Sequence, residues 1–208
     1  MSKCVSAGDN LCMLILASGS PRRRELLTQA GYGFEVRAAE IDEGLRDGED
    51  PIGYVTRLAR EKAAAVYGLL AAGDSSLVVV GADTTVAVDG AGNHGILGKP
   101  LDGADAARML RMLSGRTHRV ITGVSVVAAE RTVTAAEVTM VEFLTLSETE
   151  IADYVATGEP MDKAGAYAIQ GRAARWIPRI QGCYFNVVGL PIALTAGMLE
   201  GVGVLPTL

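Results

Sequence analysis

The chain has 208 residues, which is enough for one domain or two small lobes with a sizeable buried core. Hydrophobic residues make up 49% of the sequence and charged residues 21%, and this balance excludes an intrinsically disordered chain. The net charge of −5 excludes a general nucleic-acid binder, so any phosphate binding must come from a local basic cluster. The cysteines are odd in number and lack C-x-x-C spacing, which argues against a disulfide framework.

The hydropathy pattern does not predict a membrane segment. The uncharged stretch Val187–Leu199 has only about thirteen residues and contains a proline, whereas a spanning helix needs about twenty. The apolar stretch Cys12–Ala17 is too short for the core of a signal peptide. We therefore expect a cytoplasmic protein without membrane or nucleic-acid partners, in which residues 1–12 are a flexible tail and residues 13–208 form a single domain.

The first half of the sequence alternates short apolar strands with capped helices. Met13–Ala17 predicts a buried strand, and the following Ser-Gly-Ser-Pro turn predicts a helix over Pro21–Ala30 with a serine N-cap. Asp50 is the predicted N-cap of a long amphipathic helix over Pro51–Gly73. The other predicted elements of this half are the strand Phe34–Ala38, the acidic loop Glu40–Asp50, and the strand Leu77–Gly81, which Thr84–Asp89 continues.

One glycine-rich segment resembles a dinucleotide-binding fingerprint but does not fit its context. Gly90–Gly95 matches G-x-G-x-x-G, and that fingerprint requires a helix to follow. The next residues, Ile96–Pro100, cannot form one. We interpret the segment as a hairpin turn that returns through Ile96–Gly98.

The second half combines helices with antiparallel strands. The capping box Ser147-x-x-Glu150 predicts the start of a helix that ends at Gly158. The segment Glu159–Gly189 is rich in glycine and polar residues and shows little periodicity. The remaining predicted elements are the helix Asp102–Leu113, the hairpin strands Arg119–Ala129 and Thr132–Leu146, and the helix Pro191–Glu200. The fold class is mixed α/β with some antiparallel pairing.

Three arginines follow the Ser-Gly-Ser-Pro turn, at the predicted start of the first helix. A helix N-terminus presents unpaired N–H groups and binds phosphate well, and the guanidinium groups of Arg22 and Arg23 match phosphate oxygens. Each cation placed there opposes the helix dipole by about 0.3–1 kcal/mol, so three of them favour a bound anion. The alternative is a solvated basic turn.

Asp83 stands at the end of a strongly apolar strand. Ligands of α/β proteins usually bind at such strand ends. A buried carboxylate needs a cation, a metal or hydrogen-bond donors, so Asp83 would bind Mg²⁺ or orient a water molecule. The alternative is that it caps a nearby turn.

Further candidates rest on weaker patterns. Lys99, between Gly and Pro, would reach a phosphate or lie in a surface turn. Asp162–Gly171 is either a tight structural loop or a close approach to a ligand, in which Gln170 reads the edge of a base. His118 has no serine or aspartate relay beside it, and we interpret it as structural or as a neighbour of phosphate. Carboxylates for a metal are also present in the acidic loop, at Glu40, Asp42 and Glu43.

An ordered set of motifs resembles the Maf family, over roughly Leu14 to Leu199. These motifs are Ser18–Arg23, Leu58–Ala63, Gly81–Thr84, Gly98–Pro100, Leu113–His118, Gly158–Tyr167 with Gln170 and Gly171, and Asn186–Pro191. The resemblance implies a two-lobed α/β fold related to the inosine-triphosphatase fold, with a twisted mixed sheet and a central cleft.

The resemblance also implies an activity. Maf proteins are nucleoside triphosphate pyrophosphatases, which cleave between the α and β phosphates to give the monophosphate and pyrophosphate. The Asp-Lys-Ala-Gly-Ala-Tyr segment with the following Gln is similar to the branch that acts on dTTP and UTP. Family members commonly form dimers and use Mg²⁺ or Mn²⁺, so the implied partners are a nucleoside triphosphate, a divalent metal and a second copy of the chain.

Matching motif positions imply the following roles. Asp83 is the family's proton acceptor, which orients or deprotonates the attacking water. The positions linked to substrate choice are Arg22, Thr84 and Gln170. Other cleft positions are Ser18, Arg23, Glu40, Lys62 and Lys99, and the implied metal ligands are Glu40 and Asp83.

Two alternatives stay open at this point. One is the branch that prefers 7-methyl-GTP. The other is a nucleotide-responsive regulatory protein of cell division, in which hydrolysis is incidental.

Overall fold

The computed structural model describes residues 12–71, 76–90, 95–129 and 131–207. The predicted flexible tail, residues 1–12, lies outside these ranges except for Cys12. The strands are β1 Met13–Leu16, β2 Glu35–Val36, β3 Leu77–Ala87, β4 Ile96–Leu97, β5 Thr117–Ala128, β6 Arg131–Glu142 and β7 Arg179–Gln181. The α-helices are α1 Pro21–Gln29, α2 Pro51–Leu70, α3 Gly103–Leu113, α4 Glu148–Ala156, α5 Tyr184–Val188 and α6 Ile192–Glu200.

The strands form one mixed sheet in the order β2-β1-β3-β5-β6-β7, and β4 pairs with the end of β3. β1 runs parallel to both β2 and β3, whereas β3, β5, β6 and β7 pair in antiparallel fashion. The mixed α/β class predicted from the sequence is therefore confirmed.

Alternation along the central strands sends apolar side chains to both faces of the sheet. In β3, Val78 and Val80 contribute to the core beneath α1 and α6, whereas Leu77 and Val79 pack towards α2. This is the period of two expected of a strand buried on both faces.

Two glycines allow α2 to lie unusually close to the sheet. A Cβ atom on Gly81 of β3 would lie 2.2 Å from the carbonyl oxygen of Ala59, and one on Gly123 of β5 would lie 2.4 Å from that of Val55. Any larger residue at either position would collide with the helix backbone. The close approach places the first turns of α2 over the end of β3, where Val55 packs with Ala87.

A second core fills the opposite end of the molecule. Here α3, α4 and the 3₁₀ turns pack around Leu110, Tyr154 and Trp176, against the end of β3 and the start of β5. Ile169 packs against both this core and the one beneath α1 and α6. The core beneath α1 and α6 and this second core therefore meet at Ile169, and residues of the elements that cover them line a cleft.

Local signals placed most elements correctly. The caps at Ser20, Asp50 and Asp102 and the capping box at Ser147 are present. The pairing of β3 with β4 confirms the predicted hairpin, although residues 91–94 of its turn lie outside the described ranges. Gly73, the predicted end of the second helix, also lies outside them, and the helix itself ends at Leu70.

Two predictions differed from the structure. The predicted strand end at Asp83 is wrong: β3 continues to Ala87, because backbone pairing with β5 runs unbroken through Asp83. The segment Glu159–Gly189 contains three 3₁₀ turns, β7 and α5, which the sequence pattern missed because such short elements have no detectable period. Within the described ranges, no helix is long and apolar enough to cross a membrane.

Candidate functional site

The second half of β3 presents two neighbouring polar side chains to opposite faces of the sheet. Asp83 has the same strand parity as Gly81 and faces α2, whereas Thr84 has the parity of Val80 and faces α1. Both side chains line one cleft of about 580 Å³. A volume of that size is typical of a small-molecule site.

Lys62 of α2 joins two carboxylates. Its Nζ lies 2.7 Å from Oδ1 of Asp83 and 2.6 Å from Oε1 of Glu43, and the side chains of Lys62 and Asp83 are only 11% and 13% exposed. The close packing of α2 at Gly81 and Gly123 makes this contact reachable. The hydrogen bond uses one oxygen of Asp83, so the other can accept from water or bind a cation.

Arg23 is held in place by three acceptors. Its Nε donates to the carbonyl of Gly189 at 2.8 Å, and its two terminal nitrogens donate to Thr84 Oγ1 at 3.0 Å and Ser18 Oγ at 3.2 Å. Burial lowers the pKa of Arg23, and the nearby Asp83 carboxylate opposes that shift. The guanidinium is therefore preorganised in the cleft.

A buried chain of polar groups lies behind Thr84. Its hydroxyl lies 2.9 Å from that of Thr122, which donates to the carbonyl of Asn186. The Asn186 amide donates to the carbonyl of Val120 and to Thr139 Oγ1, both at 2.9 Å. These contacts fix Thr84 in the cleft wall, where its hydroxyl also orients Arg23.

The start of α1 forms the cleft wall beside Asp83. Ser20 caps the helix by accepting from the Arg23 amide, and the Ser20 amide donates to Ser18 Oγ at 3.2 Å. Arg22 reaches across the cleft to Asp162, with 3.0 Å between its NH1 and the Oδ2 of Asp162. Lys163 also pairs with that carboxylate, and both cations hold the pKa of Asp162 down to about 2 against the opposing effect of burial.

The opposite wall carries Lys99 and Gln170. Both side chains belong to exposed residues that line the cleft. The Gly98 carbonyl accepts from the Gly165 amide at 3.0 Å, which ties the Lys99 turn to the loop before Gln170. A Cβ on Gly165, whose φ is +69°, would lie 2.7 Å from the Val86 side chain, so only glycine fits there.

The structure therefore brings together nearly all of the residues proposed from the sequence. The cleft is lined by Ser18, Arg22, Arg23, Lys62, Asp83, Thr84, Lys99 and Gln170. Among described residues, five basic side chains and three carboxylates face it, although the chain as a whole is acidic. This excess of positive charge suits a polyanionic ligand.

Glu40 is the exception. It is exposed and does not line the cleft, whereas Glu43 of the same loop reaches Lys62. The two residues are three positions apart in an irregular loop, so no periodicity could distinguish them. The role of Glu40 as a metal ligand stays a prediction.

Tyr54 lines the cleft without having been singled out from the sequence. Its hydroxyl donates to the carbonyl of Glu43 at 3.0 Å, which holds the acidic loop near α2. Burial, with the charges of Asp83 and Glu43, raises the pKa of Tyr54 to about 12, so it stays a donor. Only its place on α2, about two turns before Lys62, would have suggested it.

The donor set is compatible with a magnesium-type ion that is shared with a ligand. Among the described residues, no group of three acidic, histidine or cysteine side chains converges as a self-contained metal site. Asp83 and Glu43, however, meet at the same ammonium group and face the cleft. Mg²⁺ usually takes one or two carboxylates, with substrate phosphates and water supplying its other ligands.

The amino-acid sequence is similar to a known protein family and to named proteins. The family described as "Maf-like protein" matches residues 13–202. A protein of Koribacter versatilis named dTTP/UTP pyrophosphatase is 53% identical over 92% of this chain and 95% of its own length. A Bacillus pumilus protein of the same name is 48% identical over 93% of this chain and 98% of its own length.

The fold also resembles a solved structure. The Staphylococcus aureus Ham1 protein superposes with a TM-score of 0.51, covering 91% of this chain and 99% of that one. At 15% identity, this similarity concerns the fold alone.

Proposed function

The chain belongs to the Maf-like protein family, and on that premise we propose that it is a nucleoside triphosphate pyrophosphatase that hydrolyses dTTP and UTP to the monophosphate and pyrophosphate. The observation that carries the proposal is the opposition of Arg22 and Arg23 to the Lys62–Asp83 pair in one cleft. The arginines can hold the phosphate chain of a nucleotide while Asp83 orients a water molecule towards it, because both groups face the same cleft.

The triphosphate lies against the start of α1. Arg23 donates from a fixed position, and the free amides of the first helical turn favour an anion. Arg22 leaves its exposed partner Asp162 for a phosphate oxygen, an exchange of one charge-assisted contact for another. Lys99 adds a point charge from the opposite wall.

Asp83 orients or deprotonates the water that attacks the α-phosphorus. The ammonium of Lys62 holds one carboxylate oxygen at 2.7 Å, which fixes the direction of the other. Pyrophosphate leaves in line with the attacking water, and positioning and charge neutralisation supply most of the rate.

A divalent metal fits this arrangement. Asp83 and Glu43 are the residues that would hold Mg²⁺ or Mn²⁺, with Glu43 reaching the cleft where Glu40 does not. When bound, the ion would neutralise phosphate charge and polarise the phosphorus–oxygen bonds. Lys62 keeps these two carboxylates together before any ion arrives.

The base lies towards Gln170, whose amide has both a donor and an acceptor for the imide edge of uracil or thymine. Thr84 contributes by fixing Arg23.

A homodimer and a cytoplasmic location are also part of the proposal, on the basis of the family resemblance. Light scattering of the purified protein tests whether it is a dimer.

The deciding experiment incubates the protein with Mg²⁺ or Mn²⁺ and a panel of dTTP, UTP, dCTP, GTP, ATP and 7-methyl-GTP. We expect pyrophosphate and monophosphate from dTTP and UTP, with oxygen from labelled water recovered in the monophosphate. Gln170→Ala should reduce the preference for dTTP over dCTP about five- to tenfold, since a neutral hydrogen bond contributes about 1–1.5 kcal/mol.

Each competing function gives a different result. A preference for 7-methyl-GTP would place the chain in the other branch. Binding of dTTP without product would favour the nucleotide-responsive regulator. Release of inorganic phosphate, or label in pyrophosphate, would contradict the proposed bond cleavage.

A further inference from the structure

Two side chains beneath the Gln170 loop form a hydrogen-bonded pair. The hydroxyl of Tyr154, in α4, donates to Oε1 of Glu159 at 2.8 Å. Tyr154 is only 2% exposed and packs edge-on against Trp176, with 5.1 Å between ring centroids. Burial raises the pKa of Tyr154, so its hydroxyl stays protonated and keeps its donor role.

This pair holds the backbone on both sides of Gln170. The Ala168 amide donates to the Tyr154 hydroxyl at 3.2 Å, and the Arg172 amide donates to the two oxygens of Glu159 at 3.0 and 3.3 Å. The two anchored amides lie two residues before and two residues after Gln170. Between them, the Gly171 amide closes a turn onto the Ala168 carbonyl at 3.1 Å.

Gly171 is required for this contact. A Cβ at that position would lie 2.0 Å from Oε1 of Glu159, so the loop rests on the carboxylate only because residue 171 has no side chain. The steric requirement is independent of the hydrogen bonds and points to the same arrangement.

Gln170 depends on its backbone for orientation. It is exposed at the cleft, and within the described ranges its side-chain amide makes no hydrogen bond that would hold it. The direction of the amide into the cleft is therefore decided by the loop that Tyr154 and Glu159 anchor.

We propose that Tyr154 and Glu159 are specificity-positioning residues, which hold Gln170 where it meets the edge of a pyrimidine base. This inference rests on the proposed function, in which Gln170 reads the base. Neither side chain contacts Arg22, Arg23 or Asp83, so loosening the pair changes base selection without removing the phosphate-binding or water-orienting groups.

The test compares kcat/KM for dTTP and dCTP in Glu159→Gln and Tyr154→Phe. The glutamine has one accepting oxygen and no charge, so the Arg172 amide loses one of its two acceptors and the remaining hydrogen bonds are no longer charge-assisted. Tyr154→Phe keeps the ring against Trp176 and removes only the hydroxyl. We expect the dTTP preference to fall about three- to tenfold in each, with kcat for dTTP within about twofold of wild type.

A matched control is Glu148→Gln, on the same helix, whose carboxylate pairs with Arg111 at the surface. Its selectivity should equal that of the wild type. Thermal unfolding checks that each variant is folded, and Gly171→Ala provides a second way to displace the loop if one variant is not.

A double-mutant cycle separates positioning from a general structural effect. On a Gln170→Ala background, Glu159→Gln should cause no further loss of selectivity, because it acts through Gln170. Wild-type selectivity in folded Glu159→Gln and Tyr154→Phe would overturn the inference and leave the proposed function standing. Absence of pyrophosphate release by the wild-type protein would overturn both.

Discussion

Asp83 and Thr84 are adjacent in sequence, but they reach the cleft from opposite faces of β3. Strand alternation turns Asp83 towards Lys62 and Thr84 towards Arg23. One stretch of β3 thereby orients the Asp83 carboxylate and fixes the Arg23 guanidinium, which we propose binds phosphate. The relative position of Asp83 and Thr84 follows from the geometry of the strand backbone. A substitution of either side chain leaves that geometry intact.

Asp83→Asn tests the role of the carboxylate. The amide is nearly isosteric but is a poor base and metal ligand, so turnover of dTTP should fall about a hundredfold or more. Steady-state kinetics measure the effect, and circular dichroism checks the fold. The control is Asp89→Asn, an 82% exposed aspartate just past the same strand, which pairs with Arg119 outside the cleft. Near-normal turnover in Asp83→Asn would remove Asp83 from the mechanism.

Arg22→Ala tests the phosphate-binding wall. Loss of one charge-assisted contact should raise KM for dTTP roughly tenfold, since such contacts are worth about 1.5–3 kcal/mol and Arg22 must first leave Asp162. The matched control is Arg24→Ala, two positions along the same helix and exposed outside the cleft. Equal KM values in the two variants would count against the proposed orientation of the triphosphate.

At the scale of elements, α2 and the sheet are fitted to each other by glycine. The helix carries Tyr54 and Lys62 to the cleft, and Arg57 anchors the acidic loop to it through both oxygens of Glu49. Because Lys62 belongs to α2 and Asp83 belongs to β3, the distance between these two elements decides whether the side chains meet.

Gly81→Ala tests this distance. The new methyl group would collide with the Ala59 carbonyl, so unfolding free energy should fall by about 1–3 kcal/mol and turnover should fall with it. The control is Gly68→Ala on the exposed side of α2, where a Cβ meets nothing within 4 Å. That variant should be more stable by roughly 0.5–1 kcal/mol, because alanine favours the helix. Urea denaturation of both proteins measures the difference, and equal stabilities would refute the close-packing argument.

At the scale of the whole molecule, His118 links stability to pH. It is 1% exposed, its Nε2 lies 2.8 Å from the Tyr167 hydroxyl, and its Nδ1 has no partner within the described ranges. Burial lowers the pKa of His118 from its ordinary value of 6.5 to about 4. The folded protein therefore keeps His118 neutral where the unfolded chain binds a proton.

The sign of the pH dependence follows from this difference in proton binding between the folded and unfolded chain. Unfolding free energy should be constant well above pH 6.5 and should fall as the pH decreases towards 4, by about 1.6 kcal/mol between pH 6.5 and pH 5. The depressed carboxylate pKa values of Asp162 and Glu150, both about 2, affect stability only at lower pH. Denaturation at several pH values measures the slope. In His118→Gln, the component between pH 6.5 and pH 5 should disappear, and an unchanged slope would assign it to other groups.

Local patterns in the sequence were sufficient for most elements and for most of the cleft. Helix starts were predictable because the caps at Ser20, Asp50 and Ser147 satisfy the first amides within a few residues. Charge placement at Arg22 and Arg23 was informative because three cations at a helix N-terminus are unfavourable without an anion. Short 3₁₀ turns and β7 were not predictable, because they are held by distant contacts.

The sequence by itself determined the mixed α/β class, the family resemblance, the basic turn and the apolar strand that carries Asp83, since each is encoded over a few consecutive residues. Only the tertiary structure decided that Glu43 and not Glu40 enters the cleft, that Arg22 pairs with Asp162, and that Tyr154 and Glu159 lie beneath Gln170. These are contacts between irregular segments, whose positions depend on how the packed cores are arranged around the sheet. Such positions cannot be predicted from a local period or a helix cap.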